Sequence, residues 1–98
     1  MFLHNVQYRL KPSLTTDEKQ TFLDGIADLV RLKPVKAAWF GRPAGNDPLA
    51  DRTFDYSLVM DLGDEAGHAA FQEDPEHHAI RDRIGKSWEK ILIYDVEG

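Results

Sequence analysis

The chain has no cysteine among its 98 residues, which excludes disulfides, thiolate nucleophiles and cysteine-ligated zinc. It lacks any apolar run near the ~20 residues of a membrane span, so no membrane partner is expected. Met1-Phe2-Leu3-His4 runs straight into an alternating pattern, without the charged-then-apolar order of a signal peptide. A cytoplasmic protein is therefore expected. Excess positive charge is missing too. Twelve Lys and Arg stand against 17 Asp and Glu, a net charge of −5, and the basic residues are scattered along the sequence. Nucleic acid needs a basic stripe and anionic lipid a basic cluster, so neither partner is expected. Gly41 and Gly45 are too sparse for a phosphate-cradling loop and open no helix. No serine sits in a strand-to-helix elbow, which removes a Ser-His-Asp arrangement. Internal repeats and low-complexity segments are absent as well.

What is present suits one soluble domain over residues 1–98: 42% hydrophobic residues, with two Trp, three Tyr and five Phe. A chain this small leaves much apolar surface exposed unless a second copy covers it. Residues 2–11 alternate, with Phe2, His4, Val6, Tyr8 and Leu10 on one side, as a half-buried strand does. Pro12-Ser13 ends that strand. Thr15 and Glu18 then stand at capping-box spacing and open a helix whose stripe is Phe22, Ile26, Leu29 and Val30. Arg31 and Lys33 are expected in its last turn, where positive charge suits the dipole, and Pro34 stops it.

A second strand is expected over 35–40, with Ala37 and Trp39 facing the helices and Ala38 and Phe40 facing away. Gly41 to Arg52 is a polar loop, long for a compact domain and a candidate flap. A third strand alternates from Phe54, Tyr56, Leu58 and Met60 on the helix side. Gly63-Asp64 caps a helix over about 65–72. Asp74-Pro75 restarts it, by a cap followed by the first helical position, through about Ser87. A last strand follows over 91–96.

The order β-α-β-β-α-β predicts an α+β, ferredoxin-like fold, with helices on one face of a four-stranded antiparallel sheet. The bare face would carry Val59, Leu92 and Tyr94 among polar residues, and a homodimer joined sheet to sheet is its simplest cover.

Helical spacing separates the two adjacent histidines. His77 shares a stripe with Ile80, Ile84 and Trp88 and is expected to face inward; His78 lies with Arg81 and Asp82 and is expected in solvent. Near a helix N-terminus the dipole disfavours imidazolium, so His77 is expected neutral near pH 7. Two readings follow: a general acid or base in a pocket, or a buried histidine satisfied by a carbonyl or tyrosine. His4 carries the same two readings. Tyr8 and Tyr56 project from the same sheet face, either to orient a ligand oxygen or simply as core aromatics. A metal site built from His4, His68, Asp74, His77 and His78 finds no i, i+4 pair, because neighbours on a helix diverge by about 100°. No metal and no cofactor are expected.

His4-Asn5-Val6, Phe54-Asp55-Tyr56, Phe71-x-x-Asp74-Pro75-x-His77 and Trp88-Glu89-Lys90-Ile91-Leu92-Ile93-Tyr94-Asp95 together resemble the stress-responsive A/B barrel (Dabb) family over essentially the whole chain. The resemblance implies a dimeric α/β barrel. It also implies a distant similarity to the polyketide-cyclase branch, olivetolic acid cyclase, in which the position of His77 is the base of an aldol closure. That branch has a tyrosine where this chain has Phe71, so the hydroxyl would have to come from Tyr8 or Tyr56.

The function expected is a homodimer, stress-associated in the sense the family resemblance implies, that binds a small, mostly apolar ligand between helices and sheet. His4, Val6, Tyr8, Phe22, Ile26, Trp39, Leu58, Phe71, His77, Ile80 and Trp88 are its expected lining. The alternatives are a cofactor-independent cyclase or lyase with His77 as catalytic base, and a monooxygenase-like barrel enzyme.

Overall fold

The computed structural model describes residues 1–98. Its elements run β1 (Phe2–Leu10), α1 (Thr16–Leu29), β2 (Ala37–Gly41), β3 (Tyr56–Asp61), α2 (Glu65–Glu73), α3 (Pro75–Ile84) and β4 (Trp88–Glu97). The four strands form one antiparallel sheet in the order β2-β3-β1-β4, with the helices on one face. This is the ferredoxin-like α+β fold. No helix is long and apolar enough to cross a membrane.

Each helix starts where its cap residues allow. Thr15 Oγ1 accepts from the Glu18 amide at 3.1 Å while the Glu18 carboxylate accepts from the Thr15 amide at 2.9 Å, a closed capping box. Asp64 accepts from the Gly67 amide at 2.8 Å, and Asp74 from the Glu76 amide at 2.8 Å with Pro75 at the first helical position. Each such cap contributes about 1 kcal/mol. Asp74 is itself extended, so α2 and α3 are separate helices meeting at an angle.

The core lies between the helices and the two central strands. Phe22, Phe71, Leu58, Met60, Leu62 and Ile84 are its fully buried side chains. Gly25 is there for close approach: a Cβ on it would stand 2.1 Å from Ile84 Cγ2, so α1 and α3 cross where α1 has no side chain.

Several expectations need correction. Val35 and Lys36 belong to the turn into β2, Val35 through a hydrogen bond to the Leu32 carbonyl, and the strand begins at Ala37. Its facing is opposite to that expected. Phe40 lies opposite Leu58 and stacks on Tyr56 at 4.9 Å, on the helix side; Trp39 lies opposite Val59 on the bare face and is 61% exposed. Every residue from Ala37 to Phe40 is apolar, so alternation alone could not fix the phase. Helix α1 ends at Leu29, so Arg31 and Lys33 follow it and its last turn holds no basic residue. Phe54 and Asp55 precede β3. Helix α3 ends at Ile84, and Trp88 opens β4 opposite Leu10 across a register shift.

Candidate functional site

The β1–β4 ladder places His4 opposite Asp95, Val6 opposite Ile93 and Tyr8 opposite Ile91, all on the helix side of the sheet. Helix α2 covers β1 at His4 through His68 and Phe71 and α1 covers it at Tyr8 through Phe22, whereas β4 is an edge strand whose Ile93 stays half exposed. A cleft of about 210 Å³ remains between α3, the end of α2 and the β1–β4 pair. His4, Val6, Tyr8, Phe71, His77 and Trp88, all expected in the lining, meet in it. Leu29, Met60, Gln72, Arg81, Ile84, Ile91 and Ile93 complete the walls.

Phe22, Ile26 and Leu58 are core residues away from the cleft wall. Ile80 is buried on the α1 side, toward a shallow hollow with Asp28 and Leu32. Trp39 is excluded by the reversed phase of β2. The additional wall residues on β4 were out of reach of helical spacing, because only strand pairing brings them beside β1. A register extended back from β4 onto the alternating β1 is the signal that finds them.

His77 is half-buried, stacked on Phe71 with ring centres 4.1 Å apart, and its Nδ1 lies 2.9 Å from the Phe71 carbonyl oxygen. A carbonyl only accepts, so Nδ1 carries the proton and Nε2 is the unprotonated nitrogen. Burial holds the imidazole below its ordinary pKa of 6.5; the Phe71 carbonyl opposes this, and the neighbouring Arg81, His78 and His4 side chains add to it. The expected neutral state follows, with desolvation its leading cause. His78 is half-buried as well rather than solvated, because its Nε2 turns back to the Gln72 carbonyl at 2.5 Å. The two rings thus bind two carbonyls at the end of α2, that of Phe71, which also accepts from the Asp74 amide at 3.4 Å, and that of Gln72.

His4 is buried, and its Nδ1 lies 2.5 Å from Asp95 Oδ1. The carboxylate fixes the Nδ1–H tautomer, which leaves Nε2 as an acceptor. Burial pushes the Tyr8 hydroxyl well above its ordinary pKa, so this residue is a neutral phenol, able to donate but not to act as a base. Tyr56 does not line the cleft; it packs with Phe22 and Phe40. Of the two tyrosines considered as substitutes for the hydroxyl lacking at Phe71, Tyr8 alone lines this space. The cleft therefore offers an apolar chamber, two imidazoles each with a proton-accepting nitrogen, and one phenolic donor.

Elsewhere, five basic residues that are scattered in sequence converge. Arg9, Lys11, Lys19, Arg42 and Arg52 line an open depression of about 560 Å³ at the end of the sheet, together with Asp55 and Glu89. The fold gathers these residues from β1 and the turn after it, from α1 and from the loop after β2.

A ferredoxin-like domain with a histidine-containing cleft against its edge strand is the class of protein that the fold and site define. The stress responsive A/B barrel domain (Dabb) profile matches residues 2–98, and the chain belongs to that family. Among curated proteins, none matches. Among solved structures, the chain is similar to a Dabb family protein with a ferredoxin-like fold from Mesorhizobium loti, at 26% identity and TM-score 0.80, over 99% of this chain and 95% of that one. A dimeric ferredoxin-like protein of unknown function from Thermobifida fusca matches at 24% identity and TM-score 0.77, over 97% and 88%. A hydroxynitrile lyase from Passiflora edulis matches at 19% identity and TM-score 0.80, over 97% and 90%.

Proposed function

We propose that the protein is a homodimer that binds a small, mostly apolar molecule carrying one polar group in the cleft beside His4 and His77. The observation that carries this reading is the composition of the cleft wall: a mainly apolar chamber with two imidazole acceptors and a phenol donor on it. Pockets with this balance orient a ligand by a few polar groups and hold it by apolar contact. A volume of about 210 Å³ suits a single ring with a short substituent, since a cavity of about 150 Å³ takes benzene. Dimerisation is supported by the dimeric neighbour and by the apolar residues on the bare sheet face. A stress-associated role is consistent with the family's description.

The test is a panel of single-ring aldehydes, ketones and phenols followed by NMR shift perturbation. Saturable binding is expected, reported at Val6, His77 and Ile91, and weakened at least roughly tenfold when Ile91→Trp fills the cleft. Absence of saturable shifts for every probe, or unchanged binding to Ile91→Trp, overturns the reading.

A second reading, a cofactor-independent cyclase or lyase, is favoured by one feature: His77 is kept neutral with Nδ1–H committed to a carbonyl, which prepares Nε2 as a base. In a lyase reaction Nε2 would take the hydroxyl proton of a cyanohydrin as the C–CN bond breaks. Aldehyde and cyanide would leave, and the proton would pass to cyanide. Turnover of such a compound, or aldol closure of a short polyketide chain, should vanish in His77→Ala; turnover that survives removes His77 as the base. The monooxygenase reading has only fold analogy behind it.

A further inference from the structure

We infer that His4, His68 and Asp95 form a site for a divalent cation of the zinc type. The three come from three elements, β1, α2 and β4, and their donor atoms all lie within 4.8 Å of one another. Strand pairing sets His4 opposite Asp95 on the helix-facing side of the sheet. Helix α2 packs above that pair and lowers His68 onto it, with the His68 ring fixed by stacking on Phe2 at 4.4 Å. Ligands on regular elements, held by packing, are the kind that keep their geometry. None of this is visible from helical spacing, because no two of the three residues share an element.

Proton accounting carries the inference further. The amide nitrogen of Gln72 lies 3.0 Å from His68 Nε2 and donates to it, so Nε2 is unprotonated and its lone pair is held only by an exposed side chain that a cation can displace. Asp95 Oδ2, an acceptor as well, faces this nitrogen at 3.8 Å. Two acceptors thus face each other, and a proton on His4 Nδ1 is shared with the other carboxylate oxygen at 2.5 Å. A cation between the three groups would take the place of the Gln72 amide at His68 Nε2, neutralise the Asp95 carboxylate and move the His4 proton from Nδ1 to Nε2. Two imidazoles and one carboxylate match the borderline-soft divalent ions of the first transition row, zinc and cobalt among them. Calcium and magnesium prefer all-oxygen sites and fit poorly here. With three protein ligands, the remaining coordination positions fall to water or a small ligand. Binding through Nδ1 moves the His4 proton to Nε2 on the cleft wall, so a bound cation would turn that nitrogen from an acceptor into a donor.

The test uses the chelator-treated full chain titrated with Co²⁺ and then Zn²⁺. One ion per chain is expected, with visible d–d bands of a low-coordinate imidazole site that Zn²⁺ bleaches. His68→Ala, a change on the sheet-facing side of α2, should weaken binding at least roughly tenfold, an effect as large as that of losing a metal's outer-shell partner. Asp95→Asn should do the same, whereas His78→Ala should leave affinity unchanged. Cobalt spectra that stay those of the hexaaqua ion overturn the inference. So does affinity that survives His68→Ala, since the ion would then sit elsewhere. Binding of the apolar probes to the chelated chain is read separately, so the two proposals fail independently.

Discussion

Strands β1 and β4 are neighbours in one ladder, yet their helix-facing residues meet different surroundings. Val6 on β1 is 3% exposed; Ile93, directly opposite it on β4, is 51% exposed. Side-chain type does not explain this, since both are β-branched and apolar. The sheet order does. β1 lies between two strands and under the helices, whereas β4 is an edge that the helices leave partly bare. Burial is thus assigned by position in the sheet, and the cleft opens where central cover gives way to open edge.

Truncations are the most forceful way to break this comparison. Phe22→Ala, at a site with no exposure, should cost about 3–5 kcal/mol. Ile93→Ala should cost under about 1 kcal/mol, because half of that side chain is already in water. Urea unfolding of the two variants checks this, and equal losses would mean that β4 is as well covered as the centre.

A smaller loss tests why the helices sit over the centre at all. Gly25→Ala puts a methyl group 2.1 Å from Ile84 Cγ2 and should cost about 1–3 kcal/mol by forcing α1 and α3 apart. The same variant should enlarge the cleft, since Ile84 is on its wall, and probe affinity measured alongside stability separates the two effects. A neutral or stabilising result would show that the crossing of α1 and α3 is slack.

The same contrast governs how much could be read from the sequence. Where local chemistry decides, the reading succeeds: the alternation of β1, the Thr15–Glu18 box and the Asp74-Pro75 helix start all depend on residues a few positions apart. The family likeness over residues 2–98 and the ferredoxin-like order follow from those units. Where tertiary pairing decides, it does not. Trp39 and Phe40 are both apolar, so only pairing with Val59 and Leu58 tells which one turns to the helices. Asp95 and His68 reach His4 through strand register and helix docking, and Ile91 and Ile93 enter the cleft by the same ladder. His78 illustrates a subtler limit: helical spacing gave it a solvated face, but the end of α2 offered its ring a carbonyl.

On the bare face of the sheet the effect should appear in assembly more than in folding. Trp39, Leu92 and Tyr94 are exposed there, and Leu92 lies opposite Gln7 and Tyr94 opposite Asn5 on β1. Leu92→Asp combined with Tyr94→Asp should halve the sedimenting mass while the far-UV spectrum stays that of the folded chain, because a buried interface rejects unpaired charge. A wild type that sediments as a monomer would remove sheet-to-sheet pairing, and the bare face would then differ from the covered one without a partner to explain it.

The gentlest probe is pH, and it reports on the junction between centre and edge. Burial keeps the folded-state pKa of His77 below 6.5, so above 6.5 both folded and unfolded chains hold the ring neutral and the stabilising contribution is complete. As pH falls below 6.5 the unfolded chain takes up its proton first, and stability is lost progressively towards the lower folded-state pKa. Glu18 acts in a separate window: its capping-box hydrogen bonds to Thr15 lower its pKa from 4.5, so its contribution is lost only below that value. Between those two pH values, the stability of wild type should fall more steeply with decreasing pH than that of His77→Asn, which retains a donor for the Phe71 carbonyl but does not titrate. Parallel curves would show that the His77 ring meets as much water folded as unfolded, and would place the boundary of the covered region short of α3.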